Sequence, residues 1–171
     1  MAEKNNAFTL TRAFNAPRKL VFEAFTRAEH LAHWWGPVGF RLHIVSLSVQ
    51  PGGTFHYSMV NGAGVEMWGL FEYLEIHNPE KIVFLNGFSN KEGQWSRAPF
   101  PGFEKWPLQV RNTWTFTEKN GITTLTLTGV PYNATPEEEQ LFFSGIAGME
   151  AGFGGTFGQL DGYLATITRN V

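Results

Sequence analysis

The C-terminal stretch TPEEEQLFFSGIAGMEAGFGGTFGQLDGYLATIT, residues 135–168, decides the fold of this chain. It opens with a capping box and a proline at the first helical position, and its apolar residues then recur at helical spacing. One helix over residues 136–168 would be about 50 Å long, whereas a compact domain of this length is only about 40 Å across. We therefore expect a break near residues 145–148 and a long helix after it.

The sequence before this stretch predicts mainly strands, because apolar and polar residues alternate in most of it. The strand-like segments are residues 8–14, 42–49, 54–60, 65–76, 81–88, 108–118 and 121–130. Tight turns such as Asn120-Gly121 join them and favour antiparallel hairpins. Two short helices follow the first strand, one after Pro17 and one over residues 29–35. This order predicts an α+β fold with a curved antiparallel sheet of about six or seven strands against the long C-terminal helix.

The composition excludes several classes of protein. The length of 171 residues fits one domain, and the net charge of −2 gives no support for a nucleic-acid binder. No cysteine is present, which rules out disulfides, thiolate nucleophiles and cysteine-based zinc sites. No apolar run approaches the roughly 20 residues of a membrane span. The first residues do not resemble a signal peptide, so we expect a cytoplasmic protein.

Aromatic residues make up 15% of the chain, and many lie in phase along the predicted strands and helix. If these faces point at each other, they form either a packed core or the apolar wall of a ligand cavity. The strands and the helix then contribute these candidates: Phe55, Tyr57 and Met59; Asn112, Trp114 and Phe116; Met149, Phe153 and Phe157.

Few polar residues fall on this inner surface. The Tyr57 hydroxyl and the Asn112 amide must find a partner there, either a backbone group or a ligand. Glu150 lies beside the apolar helix face and is a candidate for ligand contact or acid–base chemistry. Arg12 is expected to reach solvent or to pair with a carboxylate of Glu66, Glu72 or Glu150. The five histidines suggest no third ligand for His30 and His33, so we expect no metal and no cofactor.

Two further features carry open alternatives. Gly145, Gly148, Gly152 and Gly155 form a stripe that indicates either close approach of the helix to the sheet or room for a ligand. The segment 89–107 holds Trp95, Phe100, Phe103 and Trp106 among prolines. We expect it to be ordered and to shield apolar surface. It would then be a flap over the sheet edge, a lid on the cavity, or a homodimer contact.

Several segments resemble a known family. They are FNAPRKLVFEAFT (14–26), EHLAHWWGP (29–37), PGGTF (51–55), GLFEYLEI (69–76) with PEKIVF (79–84), and GMEAGF (148–153). Together they are similar to the START-like (SRPBCC) superfamily, within it the group named after the activator of the ninety-kilodalton heat-shock chaperone's ATPase. The resemblance implies a single helix-grip domain over residues 7–169, after a short tail of residues 1–6, with a cavity between sheet and helix. Trp35, within the second segment, joins the ligand-binding candidates.

Three functions remain in view. The leading hypothesis is non-catalytic binding of a hydrophobic or aromatic small molecule, because no catalytic constellation is recognised. An enzyme such as a cyclase, hydrolase or isomerase is the second, with Glu150, Glu66 and Tyr57 as its acid–base candidates. The third, suggested by the group's name, is a co-chaperone that stimulates the heat-shock ATPase. We do not expect a chaperone partner, because the chain has no room for the extra N-terminal domain of the eukaryotic activator.

Overall fold

The computed structural model describes residues 7–168, which form one seven-stranded antiparallel sheet and four helices. Arg169 and the expected tail of residues 1–6 lie outside the described residues. The elements in chain order are β1 (Phe8–Phe14), α1 (Arg18–Thr26), α2 (Ala28–Trp34), β2 (Phe40–Leu47), β3 (Thr54–Asn61), β4 (Glu66–His77), β5 (Lys81–Phe88), β6 (Val110–Lys119), β7 (Ile122–Pro131), α3 (Pro136–Ser144) and α4 (Ile146–Thr168). The α+β helix-grip fold predicted from the sequence is confirmed.

Strands β2 to β7 form an antiparallel meander, and β1 adds to its edge beside β7. The strand order is β1-β7-β6-β5-β4-β3-β2, so every strand from β2 to β7 pairs with its neighbour in the chain. Strand β1 then pairs antiparallel with β7, from Phe8 opposite Gly129 to Phe14 opposite Thr123. The β6–β7 hairpin turns at Asn120-Gly121, where φ is 54° and 77°. Both angles are positive, as the type I′ turn expected from this residue pair requires.

The two short helices fill one end of the concave sheet face. Phe25 of α1 packs edge-on against Trp34 of α2, Trp114 of β6 and Phe157 of α4. The Trp34 indole N–H donates to the Ala24 carbonyl at 3.0 Å, so its polar atom is satisfied inside this core. The outcome is a densely packed aromatic cluster beneath the C-terminal half of α4.

The C-terminal region breaks at Gly145, which confirms the predicted interruption. Helix α3 begins with the expected capping box, in which Thr135 accepts from the Glu138 backbone N–H while the Glu138 carboxylate accepts from the Thr135 N–H. A Cβ at Gly145 would lie 3.2 Å from the Trp106 ring, so the break gives room to an aromatic side chain of the segment before β6. Helix α4 then continues for 23 residues.

The expectation that the glycine stripe approaches the sheet is wrong. Gly148 and Gly155 are exposed, and a Cβ at Gly148 would meet no atom within 4 Å. Gly158 and Gly162 continue this open surface further along α4. The outer face of the helix is therefore built of small residues, and only Gly152 borders the cavity described below.

The ion pair of Arg12 also differs from expectation. Its guanidinium binds the carboxylate of Asp161 on α4, which ties β1 to the long helix, and it does not pair with Glu66, Glu72 or Glu150. Which helix residue lies opposite Arg12 depends on how α4 packs across the sheet, and the sequence pattern alone does not give this packing. Within residues 7–168 no helix is both long and apolar enough to cross a membrane.

Candidate functional site

A cavity of about 350 Å³ lies between the sheet and the N-terminal half of α4. A smaller cavity of about 240 Å³ adjoins it and shares a common wall of six residues: Pro37, Tyr57, Met59, Asn86, Met149 and Phe153. Volumes of a few hundred Å³ are typical of small-molecule sites. The two spaces thus form neighbouring lobes of one candidate site.

The cavity exists because the core has two parts. Phe157, Leu160 and Leu164 belong to the large cluster that α1 and α2 complete. Phe8, Val110 and Phe142 form a small separate cluster at the other end, with Met149 and Phe153 only partly buried against it. Within residues 7–168 no helix or strand fills the space between the small cluster and the middle of the sheet as α1 and α2 do at the opposite end. The gap is the cavity.

The structure divides the eleven predicted ligand-binding residues into three groups. Six border the cavity: Trp35, Tyr57, Met59, Asn112, Met149 and Phe153. Four are buried in the large core cluster and do not border it: Phe55, Trp114, Phe116 and Phe157. Glu150 is exposed on α4 and borders neither lobe, so the expectation that it faces the cavity is wrong.

Whether a predicted residue borders the cavity or lies in the core depends on its position along the strand or helix. Phe116 shares a strand face with Asn112, but it lies four residues further along β6, where Phe22 and Phe25 of α1 cover it. Phe157 follows Phe153 by one helical turn and is fully buried there. Alternation and helical spacing identify a face, whereas the position of α1 decides which end of that face stays open.

Sequence reasoning missed several residues of the cavity wall: Phe8, Met67, Gly69, Asn86, Phe88 and Phe142. Asn86 could have been predicted from the alternation of β5, because it shares a strand face with Ile82, Phe84 and Phe88. Asn112 was identified in the same way on β6. Phe142 reaches the cavity from α3, which the sequence did not place there, whereas Trp106 borders it as the lid alternative for the segment 89–107 predicted. Their rings lie 5.4 Å apart and form the end wall.

Two neighbouring amides form a polar patch on the sheet side of the cavity. Asn112 Nδ2 donates to Asn86 Oδ1 at 2.7 Å and to the Val110 carbonyl at 3.1 Å. The Asn112 amide group also lies above Gly129 of β7, where a Cβ would stand 3.1 Å from Asn112 Oδ1. Glycine at this position therefore leaves room for the amide at the cavity surface.

Tyr57 crosses the sheet surface at the junction of the two lobes. A Cβ at Gly69, its partner residue on β4, would lie 2.4 Å from the Tyr57 ring, so glycine is needed for this placement. Burial raises the pKa of the Tyr57 hydroxyl to about 12, and the nearby Trp35 indole N–H lowers this pKa by a smaller amount. The Trp35 N–H makes no hydrogen bond of ordinary geometry. The phenol therefore stays protonated at neutral pH.

The other acid–base candidates lie outside the cavity. Glu66 is exposed and accepts from the Trp68 indole N–H at 2.8 Å. His30 and His33 contact Tyr163 of α4, away from both lobes. His56 is buried on the opposite face of β3, with its Nε2 bonded to the Asn90 carbonyl. In residues 7–168 no charged side chain borders the cavity, and no group of three or more histidine, aspartate or glutamate residues could hold a metal ion.

The segment 89–107 is ordered and contributes to the cavity, but it shields less apolar surface than expected. Trp106 packs on Phe142 in the end wall. Phe100 and Phe103 remain 37% and 43% exposed in the single chain, so the segment does not bury these two rings against its own sheet, and the homodimer contact stays a prediction. Phe100 contacts Phe103 and Phe88, and Phe103 contacts Trp106. Neither Phe100 nor Phe103 borders the cavity. An ion pair of 2.9 Å between Arg97 and Glu138 ties the segment to α3.

Comparison with known proteins agrees with this architecture. The family model described as Activator of Hsp90 ATPase homolog 1-like protein matches residues 15–165. Protein Ms6760 from Mycobacterium smegmatis superposes with a TM-score of 0.74 at 26% identity, covering 93% of this chain and 90% of its own. A protein from Staphylococcus epidermidis gives 0.74 at 26% identity, covering 97% and 94%. The AHSA1 protein from Silicibacter pomeroyi gives 0.70 at 18% identity, covering 94% and 98%. No curated protein matches the chain.

Proposed function

This chain belongs to the family of Activator of Hsp90 ATPase homolog 1-like proteins, and we propose that it binds a hydrophobic or aromatic small molecule between its sheet and α4 without changing it chemically. The observation that carries the proposal is the cavity of about 350 Å³ with its adjoining lobe. Aromatic rings and methionines make up most of its wall, with a few neutral polar groups among them. Pockets of this kind bind apolar ligands and orient them with few hydrogen bonds.

The chemistry of the wall favours binding over catalysis. A general acid or base has to reach the reacting atoms and exchange protons near neutral pH. Glu66 and Glu150 are exposed outside the cavity, and the Tyr57 hydroxyl, with a pKa of about 12, stays protonated near pH 7. The wall therefore supplies hydrogen bonds and apolar contact to a ligand, and the proposal assigns it no proton-transfer step.

A fluorescent probe tests this directly. N-phenyl-1-naphthylamine is uncharged and emits strongly only in an apolar environment, so its titration reports an accessible apolar cavity. Met149 borders both lobes, and Met149→Trp would fill space there. Ala151 is exposed on the same helix and borders neither lobe, so Ala151→Trp is the matched control.

We expect the unmodified protein and Ala151→Trp to bind the probe equally, and Met149→Trp to bind it at least about tenfold more weakly, because its indole occupies the site. Equal binding by all three proteins, or no binding by any of them, would overturn the proposal. A heat-shock-chaperone ATPase assay with the same three proteins separates the proposal from the activity in the family's name. We expect the ATPase rate to be unchanged in each case.

A further inference from the structure

The orientation of the two cavity amides follows from one backbone carbonyl. The Val110 oxygen only accepts hydrogen bonds, so the Asn112 atom 3.1 Å from it is the amide nitrogen. This nitrogen also lies 2.7 Å from the Asn86 amide, so the Asn86 atom at that contact is the oxygen. Asn86 Nδ2 is then on the opposite branch of its amide. Within residues 7–168 it has no hydrogen-bond partner, and Asn86 borders both lobes.

Tyr57 supplies a second donor. Its phenol can donate one hydrogen bond. The ring stands edge-on to Trp35, with 6.2 Å between the ring centroids. Tyr57 borders both lobes as well. At the junction of the lobes, Asn86 Nδ2 and the Tyr57 hydroxyl are thus two donors, and Asn86 Oδ1 already accepts from Asn112.

We infer that the site selects an uncharged, flat molecule that presents an acceptor oxygen, such as the carbonyl of an aromatic ketone or quinone, to Asn86 Nδ2 and the Tyr57 hydroxyl. The inference rests on the proposed function and adds the chemical class of its ligand. Flatness fits the surrounding aromatic walls, which offer ring faces and edges at Trp35, Trp106 and Phe153.

The ligand is expected to be uncharged because the cavity wall contains no charged side chain among the described residues. A carboxylate that entered the cavity would lose its hydration, and no described side chain bordering the cavity carries a compensating positive charge. A carbonyl oxygen loses far less hydration and gains two donors. Asn112, which borders only the larger lobe, keeps its Oδ1 as an acceptor beside Asn86 and suits a hydroxyl next to the carbonyl of the same ligand.

Three compounds of one shape test the inference. Fluorene lacks a polar atom, 9-fluorenone adds one carbonyl oxygen, and 9-fluorenone-4-carboxylate adds a negative charge. Their binding is measured by quenching of tryptophan fluorescence. We expect 9-fluorenone to bind about tenfold more tightly than fluorene, because one or two hydrogen bonds distinguish them. We expect the carboxylate to bind more weakly than 9-fluorenone.

Variants connect this preference to the named atoms. Tyr57→Phe removes one hydroxyl and is expected to lower the fluorenone-to-fluorene preference at least about threefold. Asn86→Leu removes the other donor and is expected to have a similar effect. Tyr73→Phe is the control, since Tyr73 is buried away from both lobes, and it is expected to retain the full preference. Thermal unfolding confirms that each variant is folded.

The outcomes separate the two proposals. Equal binding of fluorene and 9-fluorenone, tighter binding of the carboxylate, or an unchanged preference in both Tyr57→Phe and Asn86→Leu would overturn the inference about the ligand class while leaving hydrophobic binding in place. Failure of all three compounds and of N-phenyl-1-naphthylamine to bind would overturn the proposed function itself.

Discussion

The two halves of α4 present the same kind of side chain to very different surroundings. Phe157 and Leu160 in the C-terminal half have no exposed surface, and Leu164 follows with 2%. Met149 and Phe153 in the N-terminal half are only partly buried and border the cavity. The difference lies in what faces the helix, because α1 and α2 complete the core beneath one half only. One amphipathic helix thus serves as a packed anchor at one end and a cavity wall at the other.

The C-terminal half of α4 contributes mainly to stability, and the N-terminal half lines the cavity of the proposed function. The packed half gains the full free energy of burial, about 25 cal/mol for each Å² of apolar surface removed from water. The open half forgoes part of that gain, and the unfilled volume is what a ligand can use. Four substitutions test this division of the helix.

The largest effect is expected from Phe157→Ala in the packed half. Phe157 contacts the rings of Phe14, Phe25 and Phe153, so its loss leaves a cavity that α1 and α2 cannot close. We expect the free energy of unfolding to fall by about 3–5 kcal/mol, measured by urea denaturation. A smaller loss than that caused by Phe153→Ala would contradict the division of the helix.

The second effect concerns the sheet side of the open half. Gly69→Ala would place a methyl group 2.4 Å from the Tyr57 ring and force the phenol away from its position. We expect a loss of about 1–3 kcal/mol in unfolding free energy, as is usual for overpacking. In a Tyr57→Leu background the same substitution should cost less, because the clashing atoms are gone. Additive losses would show that Tyr57 does not depend on Gly69.

The third effect is that of Phe153→Ala in the open half. The side chain is only partly buried and borders the cavity, so we expect the unfolding free energy to fall by about 1–2 kcal/mol, less than for Phe157→Ala. Binding of N-phenyl-1-naphthylamine should change in the same variant, because the wall of its site is altered. Urea denaturation and probe titration on one sample measure both quantities, and an unchanged probe affinity would remove Phe153 from the site.

The smallest effect is expected on the outer face of the helix. A Cβ at Gly158 would meet no atom within 4 Å, and the residue is exposed. Gly158→Ala should therefore raise the unfolding free energy by about 0.5–1 kcal/mol through helix propensity alone. Probe binding should not change. Destabilisation in this variant would mean that the outer face has a partner in solution, which equilibrium sedimentation would then detect.

Much of the fold could be predicted because local patterns determine it. Alternating strands, the Asn120-Gly121 turn and the capping box at Thr135 each act through neighbouring residues. The observed strand bounds lie within two residues of the predicted ones. The break near Gly145 followed from length alone, because an unbroken helix would exceed the width of the domain. Predictions of this kind need no knowledge of tertiary packing.

The site could be predicted only in part, because a cavity forms where no other element covers the apolar face, and this depends on tertiary packing. Phe116 and Asn112 have the same phase on one strand, yet α1 covers the first and leaves the second at the cavity. Asn86 could have been found by extending the same phase argument to β5. Helical spacing places the glycines of α4 on a common face, but it does not tell whether the sheet or solvent lies opposite that face.

The carboxylate of Glu138 joins helix α3 to the segment 89–107. It caps α3 and also binds Arg97, and this guanidinium holds the pKa of Glu138 below its ordinary value. Both roles persist while the carboxylate is ionised and are lost together as the pH falls through its lowered pKa. The same segment carries Trp106 into the cavity wall. For the proposed ligand, we expect opening of the Arg97–Glu138 ion pair to contribute a kinetic barrier to release, distinct from the affinity that the wall provides.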